Sequence, residues 1–243
     1  MTQTAPILWK DLAFDTLDAE VYAPKPASLL LAEQAIAQSQ PGDRILDACT
    51  GSGVVGIAIA RYVPDSRVVV SDINEAALGA ARRNAARNRV AIEVVASNLY
   101  SAFDEAQFDT ITVHPPAVPY PNDADWGLSS GMTIATNGGS DGSELVIRSI
   151  VEAKSRIRPG GKLLLLLPHW SNVAKARQAL AEHYSNVREL ARQTVEFFPV
   201  REGRTDAHLL AHVRQLAAAG IIEMTFETEI PLSIVSVIEA TVD

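Results

Sequence analysis

The sequence predicts an α/β fold, a mostly parallel sheet covered by helices on both faces. Three observations carry that expectation. Short apolar runs alternate with helix-period stretches along most of the 243 residues, as repeated strand–helix–strand units require. Leu163 to Leu167 is a run of five leucines, which suits a strand buried on both faces. Arg44 to Ala60, RILDACTGSGVVGIAIA, passes from an apolar run through a glycine-rich turn into a helix, the local unit of such sheets. The length suits one sizeable domain and is short for two. Residues 1–40 read as a lead-in or cap and residues 41–243 as the domain proper, with no linker dividing the chain.

In chain order, Trp9, Leu12, Phe14 and Leu17 offer a small apolar cap. Val21 to Pro26 is extended, because each proline restrains the residue before it. Ala27 to Gln38 is helical, with Leu29, Leu30, Ala32 and Ile36 on an apolar face. After the Pro41-Gly42 turn comes the first parallel strand, ending at Ile45-Leu46; Val54 to Ala60 opens a helix whose Gly56 faces back toward it. Arg67 to Ser71 is the second strand, Asn74 to Asn88 a helix, and Val90 to Ala96 and Phe108 to Val113 the third and fourth strands. Residues 117–142 are rich in Pro, Gly, Asn, Ser and Asp and read as one long loop, which inside a compact domain is usually functional. Ser143 to Arg158 is a helix, Pro159-Gly160-Gly161 a turn, and Lys162 to Leu167 the fifth strand. Trp170 to His183 is helical and Val187 to Phe198 a sixth strand. Asp206 to Ala219 is a helix with Thr205 or Asp206 as N-cap and Gly220 as C-cap. Ile221 to Phe226 and Leu232 to Val242 form a C-terminal antiparallel hairpin that completes a seven-stranded sheet.

Composition removes several classes of function. No apolar run reaches the roughly 18 residues a membrane span needs, and the opening MTQTAPILWKDLAF lacks a basic segment followed by an apolar one. Cys49 is the single cysteine, so neither an intramolecular disulfide nor a multi-cysteine zinc site is expected, and a reducing cytoplasm is the default location. A net charge of −8 is a poor match to a phosphate backbone. Arg82, Arg83, Arg87 and Arg89 cluster on one helix and its exit, which reads as a solvated face. Neither membrane nor nucleic acid is favoured as a partner.

The chemistry concentrates at strand ends. In D-x-x-x-G-x-G-x-x-G, Gly51 and Gly53 let backbone approach a ligand closely. Asp47 sits four residues before the first glycine, where it can bind an ammonium or order the loop. The dinucleotide fingerprint is the main competitor for such a loop. Asp72 closes the next apolar run, 25 positions after Asp47, where a carboxylate can accept both hydroxyls of a ribose. Asp47, Asp72, Asn98 and His114 follow strands one to four in order, and in open α/β sheets ligands bind beyond those carboxyl ends. His208 and His212, at i and i+4, can chelate a metal, but no third ligand is evident and no metal site is expected.

These blocks resemble the HemK-like group of S-adenosylmethionine-dependent class I methyltransferases, whose best-known members methylate glutamine side chains of translation release factors. The resemblance covers about residues 20–168 and rests on VYAPKPASLLLAE, ILDACTGSGVVGIAIA, VSDINEAALGAARRNAARN, FDTITVHPPAVPY, and NGGSDGSELVIRSI before RPGGKLLLLLP. It implies a Rossmann-like class I methyltransferase fold with S-adenosyl-L-methionine as cofactor. It further implies that Asp47, Thr50, Gly51 and Gly53 hold the methionine part, that Asp72 holds the ribose, and that Ile73 covers the adenine. Asn98, where the family usually has Asp, and Leu99 fall near the adenine amino group.

The catalytic signature departs from the family's. His114-Pro115-Pro116-Ala117 stands in place of Asn-Pro-Pro-Tyr. In the family the Asn oxygen and a proline carbonyl accept hydrogen bonds from the target nitrogen. His114 can accept through an unprotonated ring nitrogen and adds a possible base, with Pro115 beside it; His114 also borders the cofactor. Ala117 cannot stack on a planar target, whereas Tyr120 or Trp126 can. Lys25-Pro26-Ala27-Ser28 stands where glutamine methylators have Arg-Pro-Glu-Thr, and their N-terminal docking domain has no counterpart. The expected enzyme therefore N-methylates, or O- or C-methylates, a small planar or amide-bearing metabolite. The rivals are a HemK-type protein or RNA methyltransferase working with a partner, and a protein that binds S-adenosylmethionine or uses it without methyl transfer.

Overall fold

The computed structural model describes residues 6–15, 18–104, 107–121, 129–197, 200–201, 204–205 and 207–243. A short hairpin of β1 (Ile7–Trp9) and β2 (Leu12–Phe14) opens the chain, followed by α1 (Pro26–Gln38). The alternating region is β3 (Arg44–Ala48), α2 (Val54–Tyr62), β4 (Arg67–Asp72), α3 (Glu75–Asn88), β5 (Glu93–Ala96) and β6 (Phe108–Val113). Then come α4 (Ser130–Thr136), α5 (Glu144–Ala153) with a 3₁₀ turn at Lys154–Arg156, β7 (Ile157–Pro168), α6 (Val173–His183) and β8 (Asn186–Glu196). The last stretch holds β9 (Val200–Arg201), β10 (Arg204–Thr205), α7 (Ala207–Ala218), β11 (Met224–Thr225) and β12 (Leu232–Thr241).

The main sheet runs β5-β4-β3-β6-β7-β12-β8, with β11 added against the start of β12. Pairs among β3 to β7 are parallel, and β12 is antiparallel to both β7 and β8. From β3 the chain winds outward through β4 and β5, then returns to β3's other side with β6. That switch point opens a crevice beyond the strands' carboxyl ends. The fold is the α/β class I methyltransferase architecture expected, with its antiparallel C-terminal strands.

The leucine run explains the two-sided core. Leu163, Leu165 and Leu167 join Leu46, Ile111, Val113 and the α5–α6 residues Val146, Ile150 and Leu180. Leu164 and Leu166 join Ile45, Val70 and Val237 with Leu31, Ile57 and Ile59 of α1 and α2. Successive strand residues point to opposite faces, so five leucines serve two layers. A third cluster gathers Val118, Tyr120, Phe197, Leu209, Val213 and Ile222 around α7.

Several expectations need correction. Residues 117–142 are not all loop, because α4 forms within them, with Ser129 Oγ accepting from Met132 N. The 159–161 segment is part of β7, extended by hydrogen bonds between Gly160 and Gly161 and Val242. The proposed Ile221–Phe226 strand shrinks to the two residues of β11, while β12 spends most of its length between β7 and β8. Leu12 and Phe14 are buried as a cap; Leu17, Trp126 and Asp206 lie outside the described residues. Arg82, Arg83, Arg87 and Arg89 are exposed, as a solvated face requires, with Arg83 and Arg87 near Asp18 and Asp15.

Candidate active site

The glycine loop is shaped by what surrounds it. Cys49, Gly51 and Gly53 all have positive φ, at 54°, 56° and 87°, a conformation that glycine adopts without steric cost. Gly56 lets α2 lie against β4: a Cβ there would fall 2.3 Å from Val70 Cγ1. Asp47 is buried and ties the junction together. Its Oδ2 accepts from Thr50 Oγ1 at 2.5 Å and Gly56 N at 3.0 Å, and its Oδ1 accepts from Thr112 Oγ1 at 2.8 Å. Burial pushes its carboxyl up to about 6 against the opposing pull of these donors. Asp47 therefore orders the loop, one of the two roles open to it from sequence.

A cavity of about 930 Å³ lies beyond the strand ends, near the upper end of the size range of small-molecule sites. It collects Asp47, Thr50, Gly51, Asp72, Ile73, Asn98, Leu99, His114, Pro115 and Tyr120 into one space. Gly53 is not on its wall: it is the N-cap of α2, and a side chain there would press on Ile57 and Ala81. Gly51 faces open space. Asp72 Oδ2 accepts from Gly51 N and its Oδ1 from Asn74 N, each at 2.9 Å. This leaves lone pairs on both oxygens, and burial raises its pKa. Ile73 is 52% exposed. Asn98 is exposed, and Leu99 follows with φ 50°, its carbonyl accepting from Ser97 Oγ.

His114 leaves β6 half-buried, and burial pushes its ring down to about 4. The imidazole is thus neutral at neutral pH, with one nitrogen free to accept. Its Nδ1 lies 3.4 Å from Ser28 Oγ in the first turn of α1. The NGGSDG segment packs directly onto Ala117 and Val118. Val118 bridges Asn137, and Cβ atoms at Gly138 and Gly142 would lie 2.6 Å and 2.4 Å from Ala117 backbone. Tyr120 is buried, its hydroxyl 3.4 Å from Thr136 Oγ1. Tyr22 lines the same cavity, its phenol pushed up to about 12 by burial.

Sequence reasoning missed part of the wall. Trp170, Gln193 to Phe197, Arg148 and α4 residues Thr133 to Thr136 also line the cavity. Trp170 follows the carboxyl end of β7, so the strand-end rule could have found it. The end of β8 could not be found that way, because its position depends on the pairing with β12. Two other histidines have structural partners. His169 is fully buried between Glu223 Oε2 at 2.7 Å and Ser236 Oγ at 3.0 Å. His212 Nε2 bonds the Ser140 carbonyl at 2.7 Å. Among the described residues, no three metal-ligating side chains converge and no helix is long and apolar enough to cross a membrane. Burial raises the Cys49 thiol well above its usual range, which removes nucleophilic character.

The family described as "Methyltransferase small domain" matches residues 23–123. A release factor glutamine methyltransferase from Gloeobacter violaceus is 33% identical over 165 residues, 65% of this chain and 57% of that protein. A Methanocaldococcus jannaschii protein, named as a candidate protein N5-glutamine methyltransferase, is 31% identical over 150 residues, 62% of this chain and 73% of that protein. The match thus spans little more than half the length of release factor methyltransferases such as the first. A 16S rRNA N2 methyltransferase from Thermus thermophilus, solved with AdoMet and guanosine, superposes with TM-score 0.61 over 98% of this chain and 49% of its own, at 20% identity. At that identity the likeness concerns the fold.

Proposed function

Because the chain belongs to the HemK-like family of class I methyltransferases, we propose that it transfers the methyl group of S-adenosylmethionine to the nitrogen of an amide-bearing protein side chain. The single observation that carries this reading is the cavity that brings the Gly51 loop, Asp72 and the His114-Pro115 turn together. Relatives named for glutamine methylation support a protein acceptor better than the metabolite expected from sequence. In this reading residues 1–40 are the lead-in and residues 41–243 the cofactor-binding domain.

S-adenosylmethionine brings a methyl group already made electrophilic by its sulfonium. The chain's part is alignment. Asp72 offers its free lone pairs to the ribose hydroxyls, the open space over Gly51 takes the methionine part beside Thr50, and Ile73, Asn98 and Leu99 border the adenine. His114 accepts a hydrogen bond from the target nitrogen through its unprotonated ring nitrogen, beside Pro115, so that the nitrogen lone pair faces the methyl group. A ring held near pKa 4 is a weak base at neutral pH, because general bases work best with a pKa near the operating pH. Orientation of a nitrogen nucleophile is therefore favoured over proton abstraction from oxygen or carbon, and the proton that the amide nitrogen loses on methylation passes to solvent.

A small planar metabolite is the second reading, and one observation favours it. The acceptor side of the cavity is walled by Tyr120, Trp170 and Phe197, with the Trp170 and Phe197 rings 5.4 Å apart, a surface suited to flat apolar groups. Trideuteromethyl-labelled S-adenosylmethionine, offered with the protein and small-molecule fractions of a cell extract, separates the readings by mass spectrometry. Label on a glutamine side chain supports the first, and label only on a metabolite replaces it with the second. Release of methylthioadenosine without S-adenosylhomocysteine overturns methyl transfer.

A further inference from the structure

One carboxylate pins the first turn of the cavity's roof, whose far end is held by Val118. Helix α4 contributes Thr133 to Thr136 to the cavity wall. Its seven residues span about 10 Å at the helical rise. Its first turn meets the Asp72 strand end, and Asn137 at its far end bridges Val118 beyond the His114 turn. Glu20 Oε2 accepts from Gly131 N at 2.8 Å, and Glu20 O accepts from Asn74 Nδ2 at 2.8 Å. Asn74 N in turn donates to Asp72 Oδ1. A carboxylate at a helix start is also favoured by the helix dipole. Contact is close enough to exclude a side chain: a Cβ on Gly131 would fall 2.3 Å from Glu20 O and 2.9 Å from Asn74 Nδ2.

Earlier residues of the lead-in also reach α3. Ala13 exchanges hydrogen bonds with Asn88, and Asp15 N donates to Asn84 Oδ1. Asn84 Nδ2 donates onward to Ser52 O in the glycine loop. Described residues of the lead-in thus touch both the glycine loop's support and the roof.

We propose that Glu20 is a positioning residue, a latch that holds α4 over the cofactor so that entry and release both require it to open. The proposal rests on S-adenosylmethionine occupying this cavity. A gate differs from a contact in its kinetics. A lost contact mainly raises dissociation and weakens affinity, whereas a lost gate raises association and dissociation together.

Stopped-flow binding of S-adenosylhomocysteine tests this on the full chain. Glu20→Ala should raise both rate constants about tenfold, equivalent to about 1.4 kcal/mol of latch closure, with Kd changed less than about threefold. Glu20→Gln keeps an oxygen that can accept from Gly131 N, so its rates should return close to the unaltered protein's. Gly131→Ala, which pries the junction from the other side, should behave like Glu20→Ala. Unchanged rates in Glu20→Ala, or a rise in Kd that accounts for the faster dissociation, overturn the latch while leaving the cofactor assignment standing. Failure of the unaltered protein to bind S-adenosylhomocysteine overturns both.

Discussion

His114 shows how one side chain's surroundings choose its chemistry. An imidazole in water is partly protonated near neutrality, but burial holds this one near pKa 4. Below that value it has only donors and cannot hold a target amine with its lone pair free. Turnover should therefore be flat between about pH 6 and 8 in so far as His114 governs it, and fall as pH drops toward about 4 to 5. A limb centred near 6.5 would show that the ring is not desolvated. At saturating cofactor, His114→Ala should cost about ten- to a hundredfold in rate, less than a full general base supplies, while His114→Asn should recover much of it. No recovery with Asn would restore proton abstraction as the role. Asp72 is tested apart from chemistry. Hydrogen bonds to a charged group are worth about 1.5–3 kcal/mol each. Asp72→Ala should thus weaken S-adenosylhomocysteine by roughly 2–4 kcal/mol in calorimetric titration, and an unchanged affinity would take Asp72 out of the site.

At the scale of elements, β3, the glycine loop and α2 were legible because their determinants are local. Asp47, Gly51, Gly53 and Gly56 lie within ten residues, and each answers a steric or hydrogen-bonding demand of the same turn. Gly56 gives the sharpest check. Alanine there gains about 1 kcal/mol of helix propensity but places Cβ 2.3 Å from Val70 Cγ1, and overpacking of this kind costs about 1–3 kcal/mol. Gly56→Ala should therefore lower the melting temperature. Val70→Ala should destabilise less in that background than alone, the coupling a double-mutant cycle measures. Additive effects would show that α2 simply shifts away from β4. Helix α4 was not legible for the opposite reason. It is short, lies among Pro, Gly and Asn, and is held by Glu20 and Val118, one of them 111 residues from its Gly131 partner. Likewise the wall from Gln193 to Phe197 exists only because β12 inserts between β7 and β8.

At the scale of the whole molecule, the cavity is a sum of remote pieces: ends of five parallel strands, the tip of β8, the residues before α1 and the roof. A ligand that touches them all stabilises the native chain by mass action, by about 2.7 kcal/mol at a hundred times its Kd. For a chain of this size that is a rise of about 5–10 °C in melting temperature. The competing dinucleotide reading of the glycine loop predicts the same shift from NAD, so thermal scans separate the two. On the geometry seen, the loop's Gly51 N is already donated to Asp72, and Asp72 itself would repel a 2′-phosphate. S-adenosylhomocysteine should therefore raise the melting temperature, NAD and NADP should not, and Asp72→Ala should lose most of the rise. A shift with NAD alone would reverse the assignment of the cavity.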